Sequence, residues 1–266
     1  MPAHRPAEPD ILRYYTDVFA EADRLHRTPQ GRLEFTRTKE LLARVLPDAP
    51  ATVLDIGGGP GVYAGWLAAA GYRVHLLDLV PAHATAARQD HPAVSAGVAD
   101  ARRLPLSGGC ADATLLLGPL YHLTDEADRV AALREAARVT RPGGPVVAAA
   151  ISRSAALVDL TRQGRIDART RPAVLAAYAS GVNDPETGFT TAYFHRPEQL
   201  VAEFTAAGLP APRLYGIEGP LWPLLDALGV QPTERLFTDA LDCARVVESD
   251  PSVLGSSGHL LAVAVA

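Results

Sequence analysis

The run Val53-Leu54-Asp55-Ile56-Gly57-Gly58-Gly59-Pro60-Gly61 restricts the possible folds more than any other part of the chain. An apolar stretch, Thr52 to Ile56, carries an acid near its end and is followed by glycines at alternate positions. A helical pattern from Val62 to Ala70 comes next and stops at Gly71. This is the order strand, glycine turn, helix. Glycine lets the backbone turn sharply and lets a ligand approach without meeting a Cβ. An ordinary strand-to-helix turn uses glycine too, so the run by itself leaves both readings open.

The same unit recurs downstream. Strand patterns cover Arg73 to Asp78, Val94 to Val98, Ala113 to Leu117 and Pro145 to Ile151. Helical patterns at Pro81 to Asp90 and Glu126 to Val139 lie between them. Alternation of this kind predicts a parallel α/β sheet with right-handed crossovers and a ligand site at the carboxyl ends of the strands. The chain of 266 residues, 48% of them hydrophobic, is read as one domain with a cofactor-binding core over 51–151. An N-terminal helical region, 1–48, has Pro29 and Gly31 dividing its two helices. Two insertions, 152–195 and 218–258, are expected to cap the carboxyl edge, separated by helix Pro197 to Ala207 and strand Arg213 to Ile217. Helical patterns within the second insertion cover Leu221 to Leu228 and Thr233 to Val247, and a final strand covers His259 to Val265.

Three acids fall at three successive strand ends: Asp55, Asp78 and Asp100. In a parallel sheet all three reach one edge. Asp78 stands where a carboxylate can accept both hydroxyls of a ribose, and Asp100 or its neighbouring backbone can meet an adenine amino group. With these residues the chain resembles a class I S-adenosylmethionine-dependent methyltransferase over about Ala51 to Ile151. Asp55, Gly57, Gly59 and Gly61 match that family's glycine loop, and Arg141-Pro142-Gly143-Gly144 matches its turn before the fifth strand. The resemblance implies a Rossmann-like sheet of seven strands, mostly parallel, with the last strand antiparallel and helices on both faces.

The resemblance also implies S-adenosylmethionine as cofactor and methyl transfer to a small molecule by in-line displacement. Asp55 would organise the loop and the methionine ammonium, with Leu79, Ala101 and Gly118 beside the acids in the same pocket. The stretches Gly31-Arg32-Leu33-Glu34-Phe35, Gly118-Pro119-Leu120-Tyr121-His122-Leu123 and Tyr193-Phe194-His195 resemble a bacterial subgroup acting on small molecules.

Such displacement needs alignment and, for some acceptors, removal of a proton. Tyr121, His122 and His195 are the candidate catalytic residues, and an imidazole at position 122 could act as a base near neutral pH. A histidine that merely stabilises its loop has equal standing. Tyr15 and Arg37 are candidates for the cofactor's methionine end. Tyr14, Tyr193, Glu218 and Trp222 are candidates for the acceptor. Helix amphipathicity, capping and surface pairing account for these residues as well.

Two other readings share the motif. Gly59-x-Gly61-x-x-Ala64 with Asp78 satisfies a permissive dinucleotide fingerprint, which would make a nicotinamide-dependent oxidoreductase. Asp55 before the loop and the lack of a Tyr-x-x-x-Lys pair argue against it, since Lys39 is the sole lysine. A tRNA or rRNA methyltransferase is the second, but the net charge of −5 and the lack of a basic run disfavour a polyanion. Cys110 and Cys243 stand far apart, and His75, His83 and His91 lack ligand spacing, so no metal is expected. Without a signal sequence or a membrane-length apolar run, a cytoplasmic monomer or homodimer is expected.

Overall fold

The computed structural model describes residues 24–183, 185 and 189–266. Its centre is a seven-stranded sheet, with β1 Thr52–Ile56, β2 Arg73–Asp78, β3 Ser95–Val98, β4 Ala113–Leu116, β5 Pro145–Ile151, β6 Arg213–Gly216 and β7 His259–Val265. The strands lie in the order β3-β2-β1-β4-β5-β7-β6. β1 to β5 pair in parallel, while β7 runs antiparallel between β5 and β6. The seven-stranded sheet and its reversed last strand are those expected from the sequence.

Side-chain alternation builds a core on each face. Val146, Ala148, Leu260 and Ala262 point to one face, where they meet helices Glu126–Val139 and Pro197–Ala206. Val147, Ala149 and Leu261 point to the other, against helices Val62–Ala69 and Pro81–Asp90. Central strands covered on both sides are largely apolar, as β5 is throughout and β4 is but for Thr114, whose buried hydroxyl accepts from Thr140 at 2.7 Å.

Helix α1, Pro29–Val45, links this core to the insertions. Leu41 and Leu42 near its end join the sheet's second core, while Leu33 near its start joins Trp222, Leu225, Val230 and Phe237. Those partners come from helices Trp222–Leu228 and Arg235–Val247 of the second insertion and the turn between them. The first insertion contributes helices Ala155–Arg162 and Arg171–Ser180 and a two-residue ribbon pairing Val182–Asn183 with Ala192–Tyr193.

One boundary differs from the sequence reading. Gly31 does not divide two helices but lies in the first turn of α1, after Pro29 and the N-cap Thr28, whose hydroxyl accepts the Gly31 N–H at 3.0 Å. A Cβ there would stand 2.7 Å from the Arg24 carbonyl, so this glycine serves close approach by the preceding helical turn, Arg24–Arg27.

Candidate active site

The carboxyl edge of the sheet opens into a cavity floored by the loops after β1 and β4. Gly57 adopts a left-handed φ of 67°, and a Cβ on it would stand 2.6 Å from Pro119 Cγ. A Cβ on Gly118 would stand 2.8 Å from the Gly57 carbonyl. Two glycines facing each other let the two loops touch. Gly59 is also left-handed, and Gly61, with φ of 92°, caps the helix that follows without lining the cavity.

The three acids meet three different fates. Asp78 is held firmly: Oδ2 accepts the Gly59 N–H at 2.8 Å, Oδ1 accepts the Val80 N–H at 2.8 Å, and His83 Nδ1 lies 3.2 Å from Oδ1. Oδ2, with a single donor, keeps lone-pair capacity for another. Asp100 is drawn into an ion pair with Arg102, whose Nε and terminal nitrogen reach it at 3.0 and 2.6 Å. Burial pushes the Asp100 carboxyl up, but the Arg102 hydrogen bonds outweigh this and hold it below its ordinary value.

Asp55 is the exception. It is 1% exposed, and neither of its oxygens has a hydrogen-bond partner among the described residues. Burial, reinforced by the like charge of Asp78, pushes its carboxyl up to about 7. A buried acid without a donor costs free energy unless a ligand supplies one.

Of the residues picked from sequence, Asp55, Gly57, Gly59, Asp78, Leu79, Asp100, Ala101, Gly118, Tyr121 and His122 line this one cavity. Arg24, Tyr63 and His83 also line it and were not foreseen. His83 lies five residues after Asp78, at the start of the following helix, which was a usable signal; Arg24 had none.

His122 sits edge-on to Tyr121, with ring centroids 4.7 Å apart, and stacks on Phe189. Burial pushes its imidazole down to about 4, so it does not titrate near neutral pH as the sequence suggested.

A second cavity of about 490 Å³ adjoins the first, and Arg24 and Tyr121 line both. Ile151, Phe189, Phe194 and Trp222 give it apolar walls, while Glu34 and His259 supply polar groups. Its size suits a compact organic molecule.

Besides Gly61, four sequence candidates among the described residues lie outside both cavities. His195 is fully buried, with Nε2 3.1 Å from Glu203, whose other oxygen accepts from Arg129 at 2.8 Å. Tyr193 covers Arg129, its ring centroid 3.6 Å from the guanidinium carbon. Both residues therefore belong to an internal charge network. Arg37 is consumed by Glu40, by Glu248 at 2.5 Å and by the Ile217 carbonyl at 3.4 Å. That clamp ties α1 to the second insertion. Glu218 is fully buried and bonded to Ser257 and His259. Tyr14 and Tyr15 lie outside the described residues.

Comparison with known proteins decides between the readings of the glycine loop. Residues 53–144 match the family described as a methyltransferase domain. That stretch is similar to a methyltransferase domain. The demethylmenaquinone methyltransferase of Mycolicibacterium vanbaalenii is 33% identical over 154 residues, 58% of this chain and 60% of its own length. An uncharacterised methyltransferase of Mycobacterium tuberculosis is 34% identical over 105 residues, 40% of this chain and 42% of its own. The chain thus spans about half the length of these curated relatives. Among solved structures, the geranyl diphosphate C-methyltransferase of Streptomyces coelicolor superposes with a TM-score of 0.61 at 18% identity, covering 100% of this chain and 99% of the other. At that identity the likeness is one of fold. The nicotinamide alternative has no support from these relatives, and the strand order is that of the methyltransferase sheet.

Proposed function

We propose that this protein binds S-adenosylmethionine in the first cavity and transfers its methyl group to a small molecule in the second. The observation that carries the reading is the Asp55 carboxylate, buried and without a donor beside the glycine loop. An ammonium group is the donor such a site lacks, and the methionine end of the cofactor provides one. The close contact of Gly57 and Gly118 holds the loops after β1 and β4 together in the lining of the first cavity. Asp78, fixed by two backbone N–H groups, presents the spare lone pair of Oδ2 to a ribose hydroxyl.

When bound, the cofactor supplies an activated methyl group on a sulfonium. The protein's own share is positioning: Tyr121 and Arg24 stand where the two cavities join, and the apolar walls beyond them hold the acceptor against water. The demethylmenaquinone relative and the geranyl diphosphate enzyme are each named for an organic acceptor other than a nucleic acid, which supports a small molecule over an RNA.

Isothermal titration with S-adenosylmethionine, S-adenosylhomocysteine and NADH tests the reading. Binding of the first two and none of the third supports it. Silence toward both sulfur ligands at millimolar concentration overturns it.

A further inference from the structure

The two adjoining cavities differ in the sign of their charge. Asp55, Asp78 and Asp100 line the first, with Arg24 as its one arginine among the described residues. The wall of the second holds Arg24, Arg27, Arg162 and Arg165 against Glu34, Asp159 and Asp226.

Each acid of the second wall is already matched within it. Glu34 is gripped by both terminal nitrogens of Arg24 at 2.8 Å. Asp226 accepts the Gln30 N–H at 2.7 Å through one oxygen and pairs with Arg162 at 3.0 Å through the other. Asp159 takes the same guanidinium at 2.6 Å and the Gln163 side-chain amide at 2.8 Å.

A further acid stands behind this wall and is matched too. Glu218 Oε2 accepts from Ser257 Oγ and from the His259 N–H, each at 2.8 Å, and Oε1 lies 2.5 Å from His259 Nδ1. One polar atom each of Glu34, Glu218 and His259 lies within 4.8 Å of the others. Burial pushes the His259 imidazole down, but the charges of Glu34 and Glu218 outweigh both this and the opposing Arg24 and lift it to about 9. It is therefore an imidazolium near neutral pH, and its charge cancels that of Glu218.

Arg27 and Arg165 are what remains. Both are exposed, and among the described residues neither meets a carboxylate: Arg165 reaches the Gln163 side-chain oxygen at 3.2 Å, and Arg27 makes no side-chain hydrogen bond. Four guanidiniums against three carboxylates leave the wall with one positive charge in surplus. The chain as a whole carries −5 and repels anions at a distance, so any attraction for an anion here is local.

We propose that the second cavity selects a methyl acceptor with an apolar body and a single carboxylate, and that Arg27 and Arg165 bind that carboxylate. This rests on the reading of that cavity as the acceptor site. The planar fork of a guanidinium matches the two oxygens of a carboxylate. A surplus of one charge suits a monoanion better than a phosphate ester, which carries nearly two. Ile151, Leu160, Phe194 and Trp222 receive the apolar body. Arg27 and Arg165 line the second cavity alone, whereas Arg24 and Tyr121 line both. The carboxylate is thus an anchor, and a different atom of the acceptor meets the methyl group where the cavities join.

The test compares three probes that share one apolar body: biphenyl-4-carboxylate, biphenyl-4-carboxamide and biphenyl-4-yl phosphate. Each is titrated by calorimetry into the full chain saturated with S-adenosylhomocysteine, at neutral pH and low salt. The carboxylate is expected to bind about fivefold or more tightly than the amide, and no more weakly than the phosphate. Raising the salt to about 0.5 M is expected to shrink that preference, because exposed guanidiniums are screened.

The double variant Arg27→Gln with Arg165→Gln is expected to bind carboxylate and amide alike, with its affinity for the amide and for S-adenosylhomocysteine unchanged. Arg235→Gln removes an equal type of charge from a side chain that is 92% exposed and lines neither cavity, and is expected to keep the preference. Equal binding of carboxylate and amide by the wild type overturns the proposal. So does a preference that survives the double variant, one that Arg235→Gln removes as fully, tighter binding of the phosphate, or binding of none of the probes at millimolar concentration.

Failure of this inference and of the cofactor reading look different. A wild type that binds S-adenosylhomocysteine but does not distinguish the carboxylate from the amide loses the anchor alone. One that ignores S-adenosylhomocysteine loses the cofactor assignment.

Discussion

Gly59 donates its backbone N–H to Asp78 Oδ2 at 2.8 Å, which ties the loop after β1 to the end of β2 before any ligand arrives. The loop is set by the protein itself, and its shape depends on positions that have no room for a side chain.

Gly57→Ala is the sharpest test of that shape. The new methyl would meet Pro119 at 2.6 Å from a backbone held at positive φ, so the loops after β1 and β4 must separate. Affinity for S-adenosylhomocysteine is expected to fall by about tenfold or more, roughly 1.4 kcal/mol, by calorimetry.

Asp55→Asn is expected to act in opposite directions on stability and binding. The Asp55 carboxyl is raised to about 7 in the folded protein, so the folded state holds this proton more tightly than the unfolded chain. Its contribution therefore falls as pH rises from about 4 to 7, by on the order of 4 kcal/mol. The ligand-free variant is expected to melt higher than wild type at pH 7 to 8 by scanning calorimetry, while binding S-adenosylhomocysteine more weakly. A lower melting temperature would mean that Asp55 is satisfied without ligand.

His259 gives the reverse pH dependence. Its folded value of about 9 lies above the unfolded one, so its stabilisation is complete below about 6.5 and is lost as pH rises through 9. Melting temperatures across that window are expected to decline in the wild type and to flatten in His259→Asn.

Glu203→Gln probes the network around His195. Arg129 and His195 both hold Glu203 in the interior, and breaking a buried pair by removing one partner's charge costs about 3–5 kcal/mol. Denaturant unfolding is expected to show that loss, with affinity for S-adenosylhomocysteine unchanged. A tenfold loss of affinity with full stability would return His195 to the ligand site.

The sheet was legible because its signals are local. Apolar runs, the glycine turn at 57–61 and acids at strand ends place β1 to β5 within a residue or two, and the reversed direction of β7 came from family resemblance. Asp55, Asp78 and Gly118 were legible for the same reason, since each lies beside the strand that carries it. What failed depended on distant partners. Nothing near Arg37 announces that Glu248 lies beside it, and nothing near His195 announces Glu203 eight residues on. Asp100 was placed correctly in the chain, yet Arg102 two residues later holds its carboxylate. The Glu34, Glu218 and His259 cluster joins three segments separated by up to 225 positions, and only the assembled topology shows it.

The insertion of β7 between β5 and β6 has a kinetic corollary. During synthesis the half with the three acids, up to β5, emerges first and can condense on its neighbours, whereas the wall carrying His259 waits until a strand is threaded into a gap already flanked on one side. A nascent chain would then hold the acid-lined cavity before its neighbour is complete, and damage to that late strand would leave the first cavity without the second.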